Sequence, residues 1–156
     1  MKPQRIAWIL SLSLLGIGIA YAQRPNPFLG TWTLNEAKSK IPSGAAKITK
    51  LAFEAVGQDI KQTRDGTDAT GKPVHTEWTG KFNGHYYPVT VGDKGVTVAM
   101  TRVGSRTLVV TPKRGATIIA RVRGVVSADG KTISVTSLGT NAAGKRVRVF
   151  AVYDKE

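Results

Sequence analysis

The sequence predicts an all-β fold, an antiparallel up-and-down meander that closes into a barrel of about 8–10 strands. Three observations lead to this prediction. Short segments alternate between apolar and polar residues, turn signals separate them every roughly 8–12 residues, and no segment after residue 41 has a sustained helical period. Strands joined by tight turns are antiparallel neighbours. Because an open meander leaves two unpaired edges, closure is the economical arrangement.

The N-terminal segment, residues 1–22, is predicted to be a signal peptide. Basic residues precede an apolar stretch over 6–19, and the Ala-Tyr-Ala sequence at 20–22 matches the pattern that signal peptidase reads. We therefore expect cleavage between Ala22 and Gln23 and a periplasmic or extracellular product. The apolar stretch is shorter than the roughly 20 residues of a spanning helix, so the mature chain is expected to lack a stable transmembrane segment.

A short lead and one domain are predicted for the rest of the chain. Residues 23–27 are polar and contain two prolines, which lack amide donors, so this lead should be extended and flexible. Residues 28–156 should form the barrel domain. Its first strand contains Trp32 and Leu34 in alternation with threonines, and Asn35 is placed to cap one helical turn.

Further segments with strand patterns follow along the domain. They cover residues 47–55, 60–64, 74–82, 86–91, 96–102, 107–111, 117–127, 132–138 and 146–153. Turn-forming residues connect them, and two dipeptides, Asp65-Gly66 and Asn83-Gly84, have the composition of tight hairpin turns.

One internal similarity relates two of these connections. Residues 60–74 resemble residues 133–147, with a shared centre of the form G-T-[D/N]-A-x-G-K-x-V. The similarity is compatible with a duplicated hairpin and also with two loops that obey the same turn chemistry.

The composition limits the chemistry and the partners. The chain has no cysteine, which excludes disulfides, thiolate metal sites and thioether haem attachment. Its net charge is +13, and loss of Lys2 and Arg5 with the signal peptide would leave +11. Such a charge attracts anionic surfaces, including membrane headgroups and cell-envelope polymers. The basic residues are dispersed and lack an aromatic-basic recognition motif, which argues against nucleic-acid binding.

No catalytic constellation is evident, so an enzyme is not expected. There is no G-x-S-x-G motif, and neither His75 nor His85 has an identifiable nucleophile partner. His75 and Glu77 share one strand face, but no third metal ligand is marked, so neither a metal site nor a cofactor is predicted.

A ligand site inside the barrel is the more plausible prediction. Its hypothetical lining combines large apolar side chains with arginines of late strands: Trp32, Phe53, Trp78, Phe82, Met100, Arg121, Arg123 and Arg148. The three arginines have the opposite parity to the apolar residues. They would form either an anion-binding stripe or a solvated outer face, because the sequence does not fix which parity faces inward.

Four segments of the chain carry a family resemblance. They are F-L-G-T-W-T-L-N-E-A-K-S-K at 28–40, D-A-T-G-K-P-V-H at 68–75, S-A-D-G-K-T at 127–132 and the ending at 149–155. The G-T-W element resembles the G-x-W start of lipocalins, and the four segments together resemble a group of small exported bacterial lipocalin-like proteins. The resemblance implies an apolar-ligand calyx, with Trp32 at its closed end beneath an arginine, for which Arg123 and Arg148 are candidates.

Two functions are therefore expected. The first is an exported, non-enzymatic barrel that binds a small apolar or amphipathic ligand, such as a fatty acid or lipid fragment. The alternative is a cell-envelope structural protein that binds anionic lipid or polymer through its basic surface.

Overall fold

A computed structural model describes residues 25–141 and 143–156, and these form a closed antiparallel β-barrel. The predicted signal peptide lies outside the described residues. The elements, in chain order, are β1 (Gly30–Leu34), one 3-10 turn (Glu36–Lys38), β2 (Lys47–Val56), β3 (Asp59–Thr67), β4 (Pro73–Gly80), β5 (Asn83–Val91), β6 (Val96–Val103), β7 (Thr107–Arg114), β8 (Thr117–Ile118), β9 (Ala120–Val126), β10 (Thr132–Thr140) and β11 (Arg146–Lys155).

Ten of these strands form the ring. Each strand from β1 to β7 pairs with the next, β7 pairs with β9, and the meander continues through β10 to β11. β8 has two residues and pairs with the end of β7. The sequence prediction of an all-β, up-and-down closed barrel is confirmed.

The first strand closes the ring against the last one. Trp32 lies opposite Leu51 of β2 on one side and opposite Lys155 of β11 on the other. The next inward residue, Leu34, is opposite Tyr153. Every strand of the ring therefore has two neighbours, which removes the exposed sheet edges that an open meander would leave.

The meander topology gives the barrel two different ends. The short turns at 57–58, 81–82, 104–106 and 127–131 lie at one end, which aromatic side chains close. The connections at 35–46, 68–72, 92–95 and 141–145 lie at the other, open end. The described part of the predicted lead runs into the closed end, where the Leu29 amide donates to the Asn26 carbonyl at 3.2 Å.

Two dipeptides expected in tight turns lie within strands. Asp65-Gly66 belongs to β3 because a β-bulge in β2 brings the backbone of Lys47 and Ile48 against Gly66, where a Cβ would overlap it. Asn83-Gly84 belongs to β5, where the register shifts and Gly84 has a φ of +79°. The glycines serve irregular strand pairing here rather than hairpin reversal.

The region from 107 to 127 also differs from its prediction. β7 continues through Pro112 to Arg114 instead of ending at residue 111, and the expected long strand is divided at Ile119. The Ile119 amide donates to the Pro112 carbonyl at 2.9 Å. This bond folds β8 back on β7 before β9 joins the ring.

Candidate functional site

A cavity of about 470 Å³ lies inside the barrel, above its closed end. Small ligands generally occupy sites of about 300–1,000 Å³, so this volume is in the range of a binding site. Most of its wall is aliphatic because the inward parity of β5 to β11 is rich in valine: Val89, Val98, Val110, Val122, Val135 and Val149.

The closed end is a packed aromatic layer. Trp32 and Phe28 are both fully buried, and the Trp32 indole Nε1 donates to the Phe28 carbonyl at 2.9 Å. Phe28, Phe53 and Phe82 contact one another edge to face, with ring centroids 6.0–6.4 Å apart. Such aromatic packing excludes water, so any ligand must enter from the opposite end.

A lysine, not an arginine, lies over the tryptophan at this end. Lys155 Nζ is 4.9 Å from the centroid of the Trp32 ring, which is a cation–π distance. The two candidates taken from the family resemblance, Arg123 and Arg148, are exposed on the outer face. The assignment of either arginine to this position is wrong. Lys155 occupies it because β11 pairs directly with β1.

The open end is bordered by three connections. Ile41, Ala45, Ala69 and Asn141 line the cavity there. The connection after the 3-10 turn is anchored to β11, because Lys40 and Phe150 exchange backbone hydrogen bonds of 2.6 and 3.0 Å.

The two similar sequences identified above form equivalent turns at this open end. Asp68 Oδ1 accepts from the amides of Thr70 and Lys72, and its own amide donates to the Lys72 carbonyl. Asn141 makes the matching set of bonds, including acceptance from the Lys145 amide at 2.9 Å and donation to the Lys145 carbonyl. Shared turn chemistry is therefore sufficient to explain the sequence similarity.

One side of the cavity, formed by β3 and β4, is polar. Gln62, Arg64 and Thr76 line it, and Tyr153 of β11 also borders the cavity. Arg64 lies between Leu51 and Thr76 in the strand register, with its surface accessible from the cavity.

The guanidinium of Arg64 has no bonded partner among the described side chains. Enclosure by the barrel lowers the pKa of Arg64, and the potentials of Tyr153 and Asp93 oppose that shift. The Asp93 carboxylate is itself bound to Arg114 at 2.7 Å. An arginine remains protonated nonetheless, so the cavity contains one positive charge.

Tyr153 is the second titratable group at the cavity. Its hydroxyl donates to the Ile48 carbonyl at 3.1 Å, beside the bulge in β2. Burial raises the pKa of Tyr153 to about 12, although the positive charge of Arg64 acts in the opposite direction. Because its only proton is given to Ile48, the hydroxyl presents lone pairs and no donor to its other neighbours.

The structure places the eight predicted lining residues in three environments. Phe53 and Trp78 line the cavity, and the Trp78 indole donates to the Val98 carbonyl at 3.3 Å. Three others are core residues that do not border the cavity: Trp32, Phe82 and Met100. The three arginines face outward, in alternation with lining residues such as Val122 and Val149: Arg121, Arg123 and Arg148. They therefore do not line the barrel interior.

Sequence reasoning missed Gln62, Arg64 and Tyr153. After Ile60 the inward parity of the segment 60–64 is polar, a composition that is also typical of a short strand near a sheet edge. The available signal was its position between two strands with clear alternation, since a strand paired on both sides must have an inward face.

His75 and Glu77 are the two possible metal ligands that share one parity of β4. His75 is exposed on the outer face, whereas Glu77 is half-buried and also borders the cavity. His75 Nδ1 is 2.5 Å from Asp65 Oδ1, and His75 Nε2 is 3.5 Å from Glu77 Oε1. The hydrogen bond with Asp65, assisted by Glu77, raises the pKa of His75. Because the two carboxylates contact opposite nitrogens of the ring, the three groups do not converge on one point. No cluster of three or more potential ligands occurs within residues 25–141 and 143–156.

The outer face of β9 to β11 is basic. Leu138 is 54% exposed and lies in register between Arg121 and Arg148. Two positions away in either direction along β10, Arg123 lies opposite Thr136 and Arg146 lies opposite Thr140. The ion pairs found in the described part of the chain involve none of these four arginines. Arg148 also borders a shallow outer groove with Lys40 and Pro42.

Comparison with models of known protein families and with curated proteins gave no match. Among the described residues, no helix has the length and apolar character needed to cross a membrane.

Proposed function

We propose that this protein is an exported, lipocalin-like barrel that binds a small apolar or amphipathic molecule, such as a fatty acid or lipid fragment. The observation that carries this proposal is the cavity of about 470 Å³ with its valine-rich wall. The volume is on the order of fifteen times the share of one water molecule in the liquid, which suits an organic molecule with about that number of non-hydrogen atoms.

The lipocalin-like assignment within this proposal rests on two supports. The first is the set of four sequence segments that includes Gly30-Thr31-Trp32. The second is the closed antiparallel barrel, in which Trp32 seals one end.

Export within this proposal rests on the sequence of residues 1–22. Mass spectrometry of protein recovered from the medium or periplasm should give a mature chain that begins at Gln23. A full-length product retained in the cytoplasm would contradict export.

Ligand binding can be tested by displacement of a fluorescent apolar probe. N-phenyl-1-naphthylamine should gain fluorescence in the cavity and lose it when a medium-chain fatty acid is added. Native mass spectrometry should show one ligand per chain. Absence of both probe uptake and a ligand adduct would contradict the proposal.

A cavity-filling variant and its neighbour provide the matched comparison. Val135→Phe places a ring into the cavity, so probe binding should fall at least tenfold. Thr136→Phe adds a ring at the adjacent outward position, which does not border the cavity, and should bind as the wild type does. Equal effects of the two substitutions would mean that the probe binds elsewhere.

A second candidate function is attachment to an anionic envelope surface. It is favoured by the face that contains Leu138 and its flanking arginines, because an exposed apolar residue amid unpaired positive charge suits an anionic lipid interface. Cosedimentation with phosphatidylglycerol vesicles should be lost at about 0.5 M salt, where screening shortens the Debye length to a few Å.

A charge-reversal pair distinguishes this face from the overall charge. Arg121→Glu/Arg148→Glu should abolish vesicle binding. Lys81→Glu/Lys131→Glu makes the same charge change in turns at the closed end of the barrel and should weaken binding only slightly. Equal loss in both variants would show that net charge, not this face, accounts for attachment.

A further inference from the structure

We propose that the ligand carries a carboxylate and that Arg64 binds it inside the barrel. This inference rests on the proposed ligand-binding function and specifies the class of ligand. The observation behind it is an arginine in the wall of a mainly aliphatic cavity.

The protein itself does not neutralise the charge of Arg64. Among the described side chains, none is hydrogen-bonded to the Arg64 guanidinium. The nearby Asp93 carboxylate binds Arg114, and Glu77, which borders the cavity at the irregular β4–β5 pairing, is bound to Lys61 at 2.8 Å. The Tyr153 hydroxyl is neutral at physiological pH, as tyrosines ordinarily are, and burial raises its pKa further, to about 12.

The hydration of this charge changes when a ligand fills the cavity. The side chain of Arg64 is exposed to the cavity, so water hydrates its guanidinium while the cavity is empty. An apolar ligand that fills the cavity displaces this water, and a charge that loses its water is costly unless it is paired and hydrogen-bonded. A leucine or methionine would fit the barrel wall without that cost. An arginine at this position is therefore explained by an anion that enters the cavity with the ligand.

The charge and shape of a single guanidinium favour one kind of anion. One guanidinium balances one negative charge and forms two parallel hydrogen bonds to a carboxylate. A phosphate monoester carries nearly two negative charges at neutral pH, one of which would remain uncompensated in the cavity. The valine-rich wall of β5 to β11 accommodates an apolar body, while Gln62 and Thr76 flank the head at Arg64. The fitting ligand is a monocarboxylate with a medium-length apolar chain.

Paired ligands test this inference directly. Displacement of the uncharged probe N-phenyl-1-naphthylamine should give at least tenfold tighter binding of dodecanoate than of 1-dodecanol. The variant Arg64→Gln should weaken dodecanoate binding on the order of 10- to 100-fold, the usual effect of a charged hydrogen bond. Its affinity for 1-dodecanol should stay within about threefold of the wild type. Arg123→Gln, which changes an outward arginine, should behave as the wild type does.

The outcomes separate this inference from the proposed function. If wild-type protein binds both ligands equally, or if Arg64→Gln keeps its preference for dodecanoate, the role of Arg64 is overturned while ligand binding stands. If neither ligand displaces the probe, the proposed function fails as well. Tighter, Arg64-dependent binding of dodecyl phosphate would overturn the choice of a carboxylate.

A stability measurement distinguishes ligand binding by Arg64 from a role of Arg64 in supporting the fold. Without ligand, Arg64→Met should be at least as resistant to urea as the wild type, because the hydrated guanidinium makes no hydrogen bond or ion pair with the described side chains. Dodecanoate should raise the urea midpoint of the wild type and leave that of the variant nearly unchanged. A clear loss of stability in unliganded Arg64→Met would show that the arginine supports the fold instead.

Discussion

Removal of the Tyr153 hydroxyl should change stability in a way that reverses with pH. At pH 7, Tyr153→Phe should lower the free energy of unfolding by about 1 kcal/mol, since it deletes the 3.1 Å hydrogen bond to the Ile48 carbonyl. The folded protein raises the pKa of Tyr153 to about 12, whereas an exposed tyrosine in the unfolded chain titrates near 10.

The sign of the pH effect follows from proton binding. Between about pH 10 and pH 12 the unfolded chain has lost the tyrosine proton and the folded chain has kept it, so stability falls as pH rises. At pH 11 the loss is about 1.4 kcal/mol for these two pKa values. The advantage of wild type over Tyr153→Phe should therefore disappear or reverse between pH 7 and pH 11.

Urea unfolding followed by far-UV circular dichroism at both pH values measures this difference. Comparison of the two proteins at each pH cancels the titration of all other groups. Tyr86→Phe is the control at pH 7, where it should leave stability unchanged because this ring is 41% exposed. A wild-type advantage that is the same at pH 7 and pH 11 would refute the reasoning.

Three further predictions concern the closed end, the outer face and the strand pairing. Trp32→Phe should lower the free energy of unfolding by about 2 kcal/mol, because it removes the indole hydrogen bond and leaves a small cavity. A loss below about 0.5 kcal/mol in urea unfolding would contradict this account. In an NMR titration, His75 should show a pKa above the ordinary 6.5, and Asp65→Asn should lower that pKa. Protonated His75 contributes stability that is fully present below pH 6.5 and disappears as pH rises through the pKa of the folded state. Gly66→Ala should cost about 3 kcal/mol or more because its Cβ would overlap backbone, whereas Gly71→Ala, with open space around it, should cost about 1 kcal/mol in the same urea assay.

The fold could be predicted from the sequence because alternation and turn composition act locally. The period-2 pattern of 74–82 and the turns at 92–95 and 128–131 have the expected structural roles. The dipeptides Asp65-Gly66 and Asn83-Gly84 do not form the expected hairpin turns. The residues that favour a tight turn also favour a β-bulge, and the two cannot be distinguished without the partner strand.

The candidate site was less predictable for a related reason. Trp78 and Phe53 could be predicted because large apolar residues in alternation face a core. Arg64 could not, because a polar inward face looks like a solvated strand, and only the closed ring shows which side is enclosed. Lys155 was missed because its position over Trp32 depends on the register between the first and last strands.

That pairing of first and last strands also determines when the molecule can finish folding. β1 gains its second neighbour only after β11 has been synthesised, and side-chain bonds such as Asn35 to Asp154 span 119 positions. Long-range closure of this kind slows folding, because chain entropy is lost before the contacts form. A nascent chain would therefore remain incomplete as a barrel until its final segment is available.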